Sequence, residues 1–354
     1  MNKPSVRAIT AAIFAAVCLP LMASTKVDGI EPLSKDLKTS TINMLTKEMK
    51  DNYFFVDLTS KVEQDLNTRN AAGEYDSITD GGEFAKKLTA DMNAICHDAH
   101  LRVRYSKNVL PERKENEKPS DAELKSEKRW GQLMNGGFMS LKRMDGNIGY
   151  IESVGFINRE QFEKPAQAAM AFLANTDALI LDLRENHGGD PASVQYLCSF
   201  FFKERTHLND LEMRGAPTEH FWTVKVPTKN FFDKPIYVLT SKHTGSGAEE
   251  CAYDIQCLHR GPIIGESTWG GANPGDTVRL NDHFGVFIPV GRANNPYTHA
   301  NWEGAGVQPD QVVPAADALK TAHLMAVKDL LAKATTADDK ARLTDILNSL
   351  EPKP

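Results

Sequence analysis

Ala178-Leu179-Ile180-Leu181-Asp182-Leu183-Arg184-Glu185-Asn186-His187-Gly188-Gly189-Asp190 is an unbroken apolar run that ends in a turn with paired glycines. A helix is expected from about Ala192. The same cadence returns at Ile236-Tyr237-Val238-Leu239-Thr240, with a helix expected through Glu249 to Leu258, and Ile263-Ile264-Gly265 opens a third unit. Short apolar runs without alternation read as strands buried on both faces. Strand, turn, helix and strand in succession is the pattern of parallel strands with crossover helices. The fold class is therefore α/β, with α+β elements toward the ends.

On the N-terminal side the texture is helical. Ile42, Leu45 and Met49 recur at helix spacing, as do Phe84, Leu88, Met92 and Ile95, with Asp80 as a cap. Gly73-Glu74-Tyr75-Asp76 interrupts the pattern, so residues 30–107 are expected to form a small helical domain of two to four helices. Residues 112–129 carry 12 charges, six of each sign, which reads as a solvated linker or exposed helix. A β-rich stretch begins at Gly146-Asn147-Ile148-Gly149-Tyr150-Ile151, and an amphipathic helix is expected near 336–350. The division expected is 1–24 signal peptide, 30–107 helical cap, 108–129 linker, 130–330 core and 331–354 C-terminal helix.

Composition narrows the function classes. The chain has 354 residues, 41% apolar and 25% charged, enough to bury a large core. A net charge of -6 with no basic domain argues against nucleic acid as the main partner. After the N-terminus no apolar run is long enough to span a membrane. Lys3 and Arg7, the apolar stretch Ala8 to Leu21 and the small Ala23-Ser24 read as a signal for export, with no stable membrane insertion after its removal. Five cysteines are too scattered for a disulfide scaffold, and Cys96, Cys198, Cys251 and Cys257 read as buried free thiols. No Cys/His cluster has zinc spacing, so neither a metal nor an organic cofactor is expected.

Two turns could carry chemistry. Ser246, in Thr240-Ser241-Lys242-His243-Thr244-Gly245-Ser246-Gly247-Ala248-Glu249, lies where a strand gives way to a helix. Its hydroxyl would sit beside free backbone N–H groups and the positive end of the helix dipole, a setting that stabilises an oxyanion. A serine at a helix start also caps, and capping alone explains many such residues. The Gly188-Gly189 turn would let backbone approach a ligand. Ligands in open α/β sheets bind outside the carboxyl ends of the strands.

Together these segments resemble the tail-specific, or C-terminal-processing, serine peptidase family. Its strand ending D-L-R-x-N-x-G-G and its T-S-x-x-T-x-S-x-x-E turn are both present. So are Gly265-Glu266-Ser267-Thr268-Trp269-Gly270-Gly271 and Trp302-Glu303-Gly304-Ala305-Gly306-Val307-Gln308-Pro309-Asp310. The resemblance runs from about 35 to 320, and Gly73-Glu74-Tyr75 with Asp98-Ala99-His100-Leu101 is similar to the interphotoreceptor retinoid-binding-protein branch. It implies a core of the crotonase and Clp-protease kind, no PDZ module, and a peptide or protein substrate. One branch uses a Ser/Lys dyad, but no lysine occurs between Ser246 and Asn273. The tricorn-like branch instead implies Ser246 as nucleophile, His100 as general base and Glu303 as orienting acid. Gly247 with Gly188 or Gly189 would form the oxyanion hole. In that branch a serine precedes the histidine; here Ala99 does, so either Glu303 reaches His100 directly or a water or Asp98 takes the place of that serine. His187, Asp98 and Trp302 could line the pocket, while Arg184, Asp190 and Asp310 are expected to hold loops. A histidine base implies an acid limb near pH 6 to 7. An alternative on the same scaffold is a non-catalytic carrier of an apolar ligand. Oligomeric state is not legible.

Overall fold

The computed structural model describes residues 33–112, 119–228 and 231–351. The stretch expected to be a signal peptide and residues 113–118 of the charged stretch lie outside the described residues. In chain order the elements begin α1 (Lys35–Asn52), α2 (Val56–Ala71), α3 (Gly81–Cys96), β1 (Arg102–Tyr105), α4 (Asp121–Leu133), β2 (Phe138–Met144) and β3 (Ile148–Ser153). They continue α5 (Arg159–Phe172), β4 (Ala178–Asp182), α6 (Pro191–Cys198), β5 (His207–Met213), β6 (Glu219–Trp222), β7 (Ile236–Thr240), α7 (Gly247–Cys257) and β8 (Ile263–Gly265). Last come β9 (Gly275–Arg279), β10 (Phe284–Pro289), β11 (Gly291–Asn294), β12 (Gln311–Val312), α8 (Ala315–Lys333) and α9 (Ala337–Leu350).

The chain forms two compact units. The first takes residues up to Lys118 together with Leu211–Glu219 and Asn273–Ala293; the second takes Pro119–Asp210, His220–Ala272 and Asn294 onward. In the first, α1 to α3 pack Ile42, Leu45, Met49, Phe84, Leu88 and Met92 against Leu280, Phe284, Val286 and Ile288. Asp80 accepts the Glu83 N–H at 2.9 Å, which starts α3 where the sequence places a cap. The small sheet β1-β10-β9 of this unit is antiparallel. It draws two of its three strands from 175 or so residues downstream of the helices, which local periodicity cannot signal.

The second unit is built on a six-stranded sheet of order β12-β8-β7-β4-β3-β2. Strands β3, β4, β7, β8 and β12 run parallel and β2 pairs antiparallel at the edge. Every residue of β4 and β7 is buried, which is why neither run alternates. Tyr150, Ile180, Tyr237, Leu239 and Ile264 pack under Ala318, Ala322, Ala326 and Val327 of α8, with Leu343 of α9. Leu179, Leu181 and Val238 alternate with them and are equally buried, so the other face is covered too. The expected helix near 336–350 is α9, and part of the charged stretch is helix α4, opened by a Ser120–Glu123 capping box. Cys198 and Cys251 are buried as expected, but Cys96 and Cys257 are only half-buried.

Ile180 sits at the centre of this sheet with no exposed surface. Ile180→Ala is expected to cost about 2–5 kcal/mol through lost transfer energy and the cavity left beneath α8, read as a lower urea midpoint at unchanged slope.

Candidate active site

Ser246 stands at the end of the turn between β7 and α7, as the N-cap of α7. Its backbone has φ 52° and ψ -121°, a conformation that a side-chain-bearing residue seldom adopts. Such strain persists only where neighbours over-determine it, and here they do. The Ser246 N–H donates to Glu249 Oε2 at 2.7 Å, the Glu250 N–H donates to the Ser246 carbonyl at 3.0 Å, and the Gly245 N–H donates to the Asn186 carbonyl at 3.0 Å. The serine itself is half-buried, so its side chain keeps a route to solvent.

The Gly188-Gly189 turn lies directly against it. A Cβ on Gly188 would come within 2.6 Å of the Gly245 carbonyl oxygen and the Gly247 nitrogen, and within 2.8 Å of Ser246 Cβ. Gly188 also has φ 90°, and Gly189 φ 138° with the Phe156 carbonyl where its Cβ would go. Of the three glycines expected to offer an oxyanion donor, Gly188 gives its N–H to Asn186 Oδ1 at 2.9 Å. The N–H groups of Gly189 and Gly247 have no acceptor among the described residues. Two backbone donors beside a helix start form a patch suited to negative charge.

Glu249, three residues after Ser246, braces the serine turn. It is fully buried and accepts four hydrogen bonds: from the Ser246 N–H, from Thr268 Oγ1 at 2.5 Å, and from the Gly270 and Gly271 N–H groups at 2.6 and 3.0 Å. Burial pushes its carboxyl up to about 7 against the pull of these donors. The serine–x–x–glutamate spacing is a capping box, which was the available sequence signal. Thr268 in turn receives the Val307 N–H at 2.7 Å.

Glu303 is half-buried in the same unit as Ser246. Its Oε2 accepts the Ala272 N–H at 2.6 Å, and its own N–H donates to Asn301 Oδ1. Trp302 is buried and donates Nε1–H to the Gly271 carbonyl at 2.8 Å, so it anchors this loop. His187 and His243 are both exposed. The loop-holding residues act as expected. Asp190 accepts the Ala192 and Arg159 N–H groups, Arg184 clasps Asp182 and reaches the Ala315 carbonyl, and Asp310 accepts the Ile263 N–H.

His100 and Asp98 belong to the other unit. Asp98 is buried and accepts from Tyr53 Oη–H at 3.1 Å, Asn273 Nδ2–H at 3.0 Å and the His100 backbone N–H at 3.1 Å. It therefore fixes the His100 main chain. Burial raises the Asp98 carboxyl above its ordinary range. The His100 ring is buried beside Phe287, with centroids 5.5 Å apart. Burial, and secondarily the positive charge of Arg102, pull its imidazole down to about 3. An ordinary histidine base implies an acid limb near pH 6 to 7; a base with this depressed imidazole implies a lower one.

Ser246 thus stands, backed by glycines, at a strand-to-helix turn on a parallel sheet. Comparison with known proteins gives the chain a family. The model for peptidase family S41 matches residues 147–313, and the model for the N-terminal domain of these peptidases in eukaryotic IRBP matches residues 25–133. The chain belongs to peptidase family S41. The carboxyl-terminal-processing protease of Synechocystis sp. is 28% identical over 168 residues, 46% of this chain and 38% of that protein. The tricorn protease of Thermoplasma volcanium is 27% identical over 132 residues, 37% of this chain and 12% of its own length. The chain thus spans well under half the length of the curated relatives it matches. In fold it is similar to mature CPAF, with TM-score 0.54 at 12% identity over 79% of this chain and 94% of that one. It is also similar to a lipoprotein from Streptococcus agalactiae, with TM-score 0.52 at 14% identity over 82% and 96%.

Two substitutions separate framework from surface. Gly188→Ala forces a Cβ into backbone at a positive φ and is expected to cost at least about 1–3 kcal/mol, seen as a lower thermal midpoint. Glu249→Gln places an amide N–H₂ among donors and is expected to cost about 1–3 kcal/mol and loosen the Ser246 turn, seen as faster amide exchange at Ser246, Gly270 and Gly271. Unchanged exchange there would contradict the bracing role.

Proposed function

We propose that this chain is a serine peptidase that hydrolyses peptide bonds in a peptide or protein substrate. The observation that carries the reading is the strained Ser246 backbone, braced by Glu249 and backed by the Gly188-Gly189 turn. Ser246 is the nucleophile, His100 the general base and Glu303 the orienting acid. The Gly189 and Gly247 N–H groups receive the oxyanion of the tetrahedral intermediate. His100 takes the Ser246 hydroxyl proton and returns it to the leaving amine. Water then attacks the acyl-enzyme with His100 again as base. The assignment of His100 and Glu303 rests on their places in the Asp-x-His and Trp-Glu-Gly motifs. Burial keeps the His100 imidazole neutral, the form a base requires, and at the same time weakens its basicity, so the pH profile is the direct check of this role. The Lys3–Ser24 pattern supports export of the mature chain.

A fluorophosphonate probe tests the nucleophile. Wild type is expected to label at Ser246 and to cleave an unstructured protein substrate. Ser246→Ala is expected to lose both while keeping its thermal midpoint within the shift that about 1 kcal/mol produces. A wild-type chain that neither labels nor cleaves favours the carrier reading suggested by the match of residues 25–133 to the IRBP domain.

The pH dependence tests the base. With the folded imidazole depressed toward 3, kcat/KM is expected to hold its plateau well below pH 6. Stability depends on pH with the same sign but over a higher window. Below about pH 6.5 the unfolded chain binds a proton at His100 that the folded chain excludes, so this residue's contribution falls as pH drops toward 3. A half-maximal kcat/KM near pH 6.5 would show a solvated imidazole and overturn this account of His100.

A further inference from the structure

The second unit holds a cluster that lies apart from the residues assigned to peptide hydrolysis. Asp210 Oδ1 lies 2.6 Å from His207 Nε2 and 2.6 Å from His220 Nδ1. All three ligand-capable atoms lie within 4.8 Å of one another. Two imidazole nitrogens and a carboxylate oxygen that converge in this way are the donor set of an open divalent transition-metal site. We propose that His207, Asp210 and His220 bind a zinc-class divalent cation, with water completing the coordination.

The frame around the donors is built rather than incidental. The His207 ring stacks on the Trp222 indole at 4.3 Å and 7°, and the Arg205 guanidinium lies 4.3 Å from the same indole. The Trp222 carbonyl accepts Gln195 Nε2–H, and the His207 carbonyl accepts the Tyr297 hydroxyl. Thr206 and Thr223 are tied by two bonds of 2.8 Å, one from each N–H. These contacts fix the backbone that carries His207 and the approach to His220, so little ordering is left for the ion to impose. A tetrahedral zinc at about 2.0–2.1 Å from each donor sets ligand atoms roughly 3.3 Å apart. The cluster must therefore open slightly. His220, whose side chain is 57% exposed, is free to swing outward by that amount.

The spacing His-x-x-Asp followed ten residues later by His matches no common zinc motif, so the cluster is not legible from residue spacing alone. Chain topology explains what such an ion would do. The chain leaves the second unit after Asp210 and re-enters it at His220, and the nine residues between, Leu211–Glu219, belong to the first unit. A cation held by His207, Asp210 and His220 joins β5 to β6 at the base of that excursion, adding a side-chain link where the two strands are already paired in one sheet. The role is one of structural clasp, independent of the peptidase reading.

The test is metal uptake by the purified chain. After chelator treatment, the protein is dialysed against buffered micromolar free zinc and its metal content measured by mass spectrometry. One zinc per chain is expected. His220→Ala and Asp210→Asn should each weaken uptake at least tenfold, while His243→Ala should not. His207→Ala can disturb the Trp222 stack, so the exposed His220 carries the decision. Cobalt(II) in place of zinc should give the visible bands of a four-coordinate nitrogen–oxygen site without a thiolate charge-transfer band. Uptake unchanged in both His220→Ala and Asp210→Asn, absence of uptake at micromolar zinc, or a thiolate band would each overturn the proposal.

Discussion

A buried carboxylate holds the serine site together. Glu249 sits one helical turn beyond Ser246 and collects donors from Ser246, Thr268, Gly270 and Gly271. Taking a carboxylate out of water is costly, and it persists in the charged form only where several hydrogen bonds replace its hydration. Each donor here comes from a segment that has no regular structure of its own. Without the carboxylate, the Gly265–Gly271 segment and the serine turn would lose the group that joins them. The buried backbone N–H groups of Gly270 and Gly271 would be left unsatisfied at once. The threonine links this centre onward, because Thr268 Oγ1 also accepts the Val307 N–H.

The strain at Ser246 follows from that arrangement. A serine at φ 52° relaxes if its N–H is released, so the Glu249 bond and the glycine turn work in the same direction. Glu249 pulls the backbone down onto α7, while Gly188 leaves no volume into which Ser246 Cβ could retreat. Asn186 supports both sides. Its side chain binds the Gly188 N–H and its carbonyl binds the Gly245 N–H. The rigidity of the Ser246 turn is thus built from short local bonds rather than from the sheet itself.

Much of this was legible in the residues because it is local or periodic. The apolar runs of β4 and β7, the caps Asp80 and Ser246, and the helical spacing of α1 and α3 are each written within a few positions. The α/β class follows from them. The motifs around Ser246 and Glu303 then pointed to the family that the comparisons found. What escaped depends on partners far away in the chain. Residues 273–293 supply β9 and β10 to the first unit, and nothing in a strand's own sequence names the helices it will cover. The position of His207, Asp210 and His220 depends on the course of the chain between them. The depressed His100 imidazole depends on burial, which composition does not report.

Three consecutive peptide groups also join two carboxylates that lie on different elements. The Gly270 and Gly271 N–H groups bind Glu249, and the next one, Ala272, binds Glu303. Trp302, the residue before Glu303, returns a bond to the Gly271 carbonyl, and the Gly304 N–H returns one to the Gly270 carbonyl. A single strip of backbone therefore sets the distance between Glu249, which braces Ser246, and Glu303, the carboxylate proposed to orient a base. Gly270 has φ 91° and Gly306 has φ 70°, and a Cβ on Gly306 would meet the Thr268 carbonyl oxygen at 2.3 Å. Glycine is needed at these points because the strip and the Trp302–Val307 loop approach closer than any side chain allows. The W-E-G-x-G-V pattern is in this sense a packing requirement as much as a chemical one. Its glycines bring the loop close enough for the Glu303 position to be inherited from Ser246 through Glu249.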